Sequence, residues 1–199
     1  MDRYIAKGRT LPFMSAMLAA ANIVVFLLCQ LPGNTLYGRG CLSAFEIVAR
    51  GEYGRILWAM FLHADVSHLF NNMIILFFMG AMIEKEIGHF PFAGIYLVSG
   101  IGGNLLSLAG KIVGGDWAVS LGASGAVFGL DGLLLALVLF SPRRIENITP
   151  LRVVLMICLS LYSGFTGGNV DNLAHIGGLL TGFVLGGLST IYMRLKRIR

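Results

Sequence analysis

A chain of 199 residues that is 56% hydrophobic and 13% charged lies far below the roughly 25% charge of an average soluble domain, which excludes an ordinary water-soluble enzyme. Its net charge of +5 does not mark a nucleic-acid binder, because the basic residues gather at the ends of apolar runs, where they orient membrane proteins. At ~150 residues per domain the length allows one unit, and no linker, repeat or low-complexity block divides residues 1–199.

A spanning helix needs about 20 mostly apolar residues. Six runs meet or approach this, at about 11–31, 67–84, 91–110, 122–140, 151–165 and 172–193. The first follows Arg3, Lys7 and Arg9, as a signal peptide would, but it is long for that role and no A-x-A cleavage site follows. The fifth is short and is expected to be tucked in or tilted. Cys29, Cys41 and Cys158 are too scattered for a disulfide framework or a CxxC metal site. Cys158 reads as a small core residue.

Six spans put both termini on one side. With the termini inside, the inner segments hold Arg3, Lys7, Arg9, Lys85, Arg143, Arg144, Arg152, Arg194, Lys196, Arg197 and Arg199. The outer segments hold Arg39, Arg50, Arg55 and Lys111. Eleven against four predicts cytoplasmic termini. Ser124 and His175 then each begin a span at the outer face, within about one turn of its end, ~5 Å by helix rise. A hydroxyl and an imidazole at one depth are the minimum for acyl transfer, and polar groups in a bilayer are functional suspects by default.

Glycines favour their meeting. Gly122, Gly125, Gly129 and Gly132 line the fourth span, and Gly178, Gly182 and Gly186 the sixth; such stripes let helices approach closely. His68 and Asn72, one turn apart at the outer end of the second span, offer donors to a developing oxyanion. The backbone N–H groups of Ala123 and Ser124, at a helix N-terminus, offer others. The alternative for His68 and Asn72 is a bridge between helices.

Three motifs in order, His63-x4-His68-x3-Asn72, Gly-Ala-Ser-Gly at 122–125 and AHIGGLLTG at 174–182, give the chain its resemblance to rhomboid intramembrane serine proteases of the compact six-helix type, over roughly residues 45–190. The resemblance implies an all-α membrane protein, a six-transmembrane-helix bundle whose first loop is partly membrane-embedded. It implies Ser124 as nucleophile and His175 as general base, in a dyad without a carboxylate. His68, Asn72 and the Ser124 N–H would bind the oxyanion, and His63 would be structural. Gly178 and Gly182 would bring the dyad together. Single-pass transmembrane proteins would be the substrates. Separately, short loops and no large soluble domain point to a bacterial cell membrane.

Several residues depart from the family pattern or leave two readings open. Gly54 stands where an aromatic usually precedes the loop arginine, here Arg55, with Tyr53 one place earlier; this puts the loop's anchor in question. Phe128 replaces the usual tyrosine beneath the histidine, keeping a ring but losing a hydroxyl. Asp171 is either a helix cap or an orienting partner for His175, the cap being favoured. Asp131, about 10 Å below Ser124, is either a buried hydrogen-bonding post to Asn104 or a serine, or a group that tunes the dyad. His89, Glu84 and Glu86 read as ordinary interfacial residues. No HExxH and no converging ligand set is visible, so neither metal nor cofactor is expected. The loop 166–171 with the fifth span is the expected lid. The rival classes are a non-catalytic rhomboid-like client binder and a transporter, for which only Asp131 and Asn104 speak.

Overall fold

The computed structural model describes residues 11–141, 145, 148–166 and 170–198, with the side chains of 196–198 excepted. The expectations attached to Arg3, Lys7, Arg9, Arg143, Arg144 and Arg199, and to residues 167–169 of the lid, lie outside the described residues. The architecture is an all-α bundle, as expected. Six apolar helices follow the six runs: α1 (Phe13–Cys29), α5 (Val66–Ile87), α6 (His89–Gly114), α7 (Ser124–Phe140), α8 (Pro150–Thr166) and α9 (Asn172–Ile198). Three of them, α5, α6 and α9, are long and apolar enough to cross a bilayer; α1, α7 and α8 are shorter apolar helices. The first loop carries α2 (Leu36–Gly40), α3 (Ala44–Arg50) and α4 (Arg55–Trp58), followed by a 3-10 turn at Ala59–Phe61.

Large apolar side chains such as Phe78, Leu159, Tyr162 and Val184 point outward, as a lipid-facing surface requires, since burying them between helices gains nothing over lipid contact. The interior instead relies on close approach. Helix α7 is its buried centre, with Ala126, Leu130, Leu133 and Ala136 all fully buried. Cys158 is exposed on α8, which corrects the expectation of a core residue: α8 buries only Val153, Ile157 and Gly164, and position 158 falls on its outward side.

Helix α9 packs between α6 and α7 on two glycine faces. A Cβ on Gly178 would strike the Gly125 carbonyl oxygen, and one on Gly182 the Gly129 carbonyl. On the other face, a Cβ on Gly177 would lie 2.8 Å from the Gly102 carbonyl oxygen. Gly103 of α6 sits similarly against the Ala174 carbonyl. The α6 glycines of this seam, Gly102 and Gly103, are adjacent and form no four-residue stripe in the sequence.

The opposite end of the bundle is tied by Glu84. Its side chain is buried and accepts from Met14 N (2.8 Å), Ser15 N (2.8 Å) and Ser15 Oγ (2.6 Å). It also pairs with His89 Nδ1. These N–H groups belong to the first turn of α1, which has no intrahelical acceptors for them. Glu84 and His89 are therefore a structural knot rather than ordinary interfacial groups, because the carboxylate caps a helix 69 residues upstream of it.

Candidate active site

Ser124 is the first residue of α7. The segment leading to it hangs from the first loop through main-chain bonds. Leu42 and Ser120 exchange two hydrogen bonds, of 2.8 and 3.0 Å, and Gly122 N donates to the Ala59 carbonyl at 2.9 Å. Gly122 adopts φ +134, a conformation L side chains rarely adopt. A Cβ there would also lie 2.7 Å from His68 Cε1 and 2.8 Å from its Nε2. Glycine thus lets the His68 ring close onto the serine loop.

The first loop is itself anchored without the aromatic at position 54. Arg55 is buried, donates to the Cys41 carbonyl at 3.0 Å and pairs with Glu52 at 2.6 Å. Tyr53 is exposed and takes no part in this anchor. Asn104 Nδ2 donates to the Ile56 carbonyl at 2.8 Å, joining α6 to the same loop. Asn104 is thus committed to the loop and is not a partner of Asp131. The Asp131 side chain is buried in α7, and no hydrogen-bond partner for it is found among the described residues.

His175 enters from α9. Its Nε2 lies 2.9 Å from Ser124 Oγ, and the imidazole stacks on Phe128, centroids 4.2 Å apart and planes 15° from parallel. The phenyl ring, one turn into α7, thus supports the imidazole by packing. Gly125, under the seam with α9, removes the bulk that would hold the two helices apart.

Asp171 holds the start of α9. Its carboxylate accepts from Ala174 N at 3.0 Å and from Ser107 Oγ. That is the geometry of a cap, with the second oxygen spent on α6. No hydrogen bond runs from Asp171 to the imidazole, whose Nδ1 is buried and unpaired among the described residues.

The other sequence-selected residues cluster at this end of the bundle. The His68 N–H is capped by Asp65 at 2.8 Å, and the His63 and His68 rings meet edge to face at 5.1 Å. His63 is fully buried, and its carbonyl accepts from the Tyr37 hydroxyl at 2.6 Å. Burial pushes the His63 imidazole down to about 4, so it is neutral at physiological pH. Asn72 is buried but donates to its own helix, at the His68 carbonyl, 3.1 Å away. It stands beside the group without bonding to Ser124. The arrangement pairs a hydroxyl at a helix N-terminus with an imidazole, and lays a second imidazole against the loop before it.

The chain is similar to several known proteins. The Rhomboid domain model matches residues 50–191. YdcA of Bacillus subtilis (strain 168) is 31% identical over 179 residues, covering 89% of this chain and 88% of that protein. RHOMBOID-like protein 4 of Arabidopsis thaliana is 40% identical over 157 residues, which is 76% of this chain but 38% of the plant protein. Rhomboid protease GluP of Bacillus subtilis (strain 168) is 32% identical over 177 residues, covering 86% of this chain and 34% of GluP. This chain therefore spans well under half the length of several relatives it matches. With the domain model covering most of the chain and YdcA aligned along nearly its whole length, this integral membrane protein belongs to the rhomboid family.

Proposed function

We propose that the protein is an intramembrane serine endopeptidase that cuts transmembrane segments of single-pass membrane proteins near the outer membrane face. The supporting observation is the 2.9 Å contact between Ser124 Oγ and His175 Nε2, made at the end of α7 where the N–H groups of the first turn have no intrahelical acceptor.

In this reading Ser124 Oγ attacks the scissile carbonyl while His175 Nε2 takes its proton. The tetrahedral oxyanion forms against the Ser124 N–H, with His68 and Asn72 as further donors. Collapse of the intermediate returns the proton from His175 to the leaving amine, and water repeats the cycle on the acyl-enzyme. The helix dipole of α7 places its positive end at the developing charge. A substrate helix must unwind to expose a peptide bond, so residues that weaken a helix near the cut lower the barrier. The charge bias of the sequence puts the termini in the cytoplasm and this end of the bundle outside, in a bacterial cell membrane.

The test is cleavage of a single-span reporter in proteoliposomes by wild type, Ser124→Ala and His175→Ala, with folding followed in parallel. Loss of cleavage in both folded variants is expected. Cleavage surviving Ser124→Ala overturns the dyad. A folded wild type that binds but never cuts a panel of reporters points instead to the client-binding class.

A further inference from the structure

Two buried polar atoms beside the dyad lack partners among the described residues: His175 Nδ1 and Asn172 Oδ1. They face one place. The point that a Cβ on Gly164 would occupy is 2.5 Å from Asn172 Oδ1 and 3.6 Å from His175 Nδ1. The amide orientation follows from its other end, because Asn172 Nδ2 donates to the Gly164 carbonyl at 3.2 Å. A carbonyl accepts only from the NH2 group, so the oxygen is the atom left in the space beside Gly164 that His175 Nδ1 also borders.

The chemistry of the two atoms is selective. Asn172 Oδ1 accepts and cannot donate, so it pairs with His175 only when Nδ1 carries the proton. In that tautomer Nε2 has its lone pair free for the Ser124 hydroxyl. In the other tautomer Nε2–H points at Ser124 Oγ, the dyad cannot take a proton, and both buried atoms stay unpaired. The obvious competitor, Asp171, is already engaged by Ala174 N and Ser107 Oγ. Gly164 supplies the room, since any side chain there would intrude between the amide and the ring.

We propose that Asn172 is a positioning residue for the dyad: its Oδ1 accepts the His175 Nδ1–H, directly after a small rotation or through one water, and so fixes the tautomer whose Nε2 receives the serine proton. The role of the tautomer in turnover rests on the protease reading above; the tautomer itself does not. When His175 becomes an imidazolium, the same Oδ1 stays on Nδ1–H and shares its charge. Because the amide N–H groups hold the Gly164 carbonyl of α8, the position of that helix is transmitted to the imidazole.

The experiment is nitrogen-15 NMR of the histidine-labelled protein in detergent, with His175 assigned by difference from His175→Ala, alongside reporter kinetics. Wild type is expected to carry its proton on Nδ1. Asn172→Leu, near in shape, is expected to shift His175 toward the Nε2–H form and to lower kcat at least about ten-fold with KM within about two-fold. Asn172→Asp keeps the acceptor and loses the donor to Gly164, and should restore the tautomer and most of kcat. Asn172→Asp behaving like Asn172→Leu would show that only the brace to α8 matters and overturn the proposal, as would an unchanged tautomer in Asn172→Leu. Should Asn172→Leu not fold, Gly164→Ala, whose methyl crowds Oδ1, reads the same tautomer. A wild type with Nδ1–H in place but no proteolysis would sink the protease reading and leave the Asn172 contact standing.

Discussion

Gly178 and Gly125 touch through their backbones, so that a single methyl on Gly178 would collide with the Gly125 carbonyl oxygen. The contact lies three residues past His175 and one past Ser124, where it governs how far apart the two helices hold these side chains. Gly178→Ala is expected to push α9 from α7, lengthen the 2.9 Å contact and lower reporter cleavage at least about ten-fold, with about 1–3 kcal/mol of stability lost to overpacking. Gly187→Ala, where a Cβ meets nothing, is the control. Equal activity in the two variants would show that the seam does not set the dyad distance.

Phe128 lies flat under His175. Removing the ring while keeping an apolar side chain, as in Phe128→Leu, is expected to loosen the imidazole at a cost of about 1 kcal/mol and reduce kcat several-fold with little change in KM. Phe128→Tyr keeps the stack and should stay near wild type. Steady-state kinetics on the reporter decides it, and a fully active Phe128→Leu would remove the stack from the account.

Glu84 accepts three hydrogen bonds from Met14 and Ser15. Glu84→Ala leaves two main-chain N–H groups of α1 without an acceptor and is expected to cost about 3 kcal/mol. The loss should appear as a lower Tm in detergent. Cleavage per folded molecule at a permissive temperature should hold, because the knot lies at the end of α5 remote from His68. A wild-type Tm would mean that α1 is held by its packing alone.

His63 gives the pH dependence of stability a definite sign. Its folded imidazole titrates at about 4, against an ordinary 6.5. Between those values the unfolded chain binds a proton that the folded one refuses. Stability is therefore complete above pH 6.5 and declines as pH falls toward 4, by about 3 kcal/mol for this group. Tm measured from pH 7.5 to 4.5 should fall less steeply in His63→Gln. Parallel curves would exclude His63 as the source.

Asp131 is a buried carboxyl with no hydrogen-bond partner among the described residues. Replacing it with leucine of similar shape is expected to raise stability by about 1–3 kcal/mol, read as a higher Tm. Asp131→Asn tests the tuning idea separately. An unchanged pH profile of cleavage in that variant would confine Asp131 to a structural role.

What the sequence made legible and what it hid divide along a physical line. The six apolar runs, and the common depth of Ser124, His175 and His68, follow from hydropathy and charge, because each is a property of residues close together in the chain. The sequence leaves the anchor of the first loop open because Gly54 stands where an aromatic is expected. Arg55 in fact holds the loop through Glu52 and the Cys41 carbonyl. Glu84 reads as interfacial in the sequence because two of its donors are main-chain N–H groups far upstream, which leave no signature there. Asn104 and Asp131 suggest each other as two intramembrane polar residues, whereas the partner of Asn104 is again a carbonyl, that of Ile56. Asn172, beside the capping Asp171, carries no signature of its own in the sequence. Its orphaned oxygen becomes visible only once α8 and α9 are side by side.

The knot at Glu84 also bears on the order of assembly. Ser15 and Glu84 are 69 residues apart, a stretch that a ribosome working at about 5–20 residues per second needs roughly 3–14 s to extend. For that interval the first turn of α1 must find other acceptors, in headgroups, water or a chaperone. Only when α5 has followed it into the membrane can α1 lock. The nascent protein thus passes through a stage in which its first helix is made but not yet fastened.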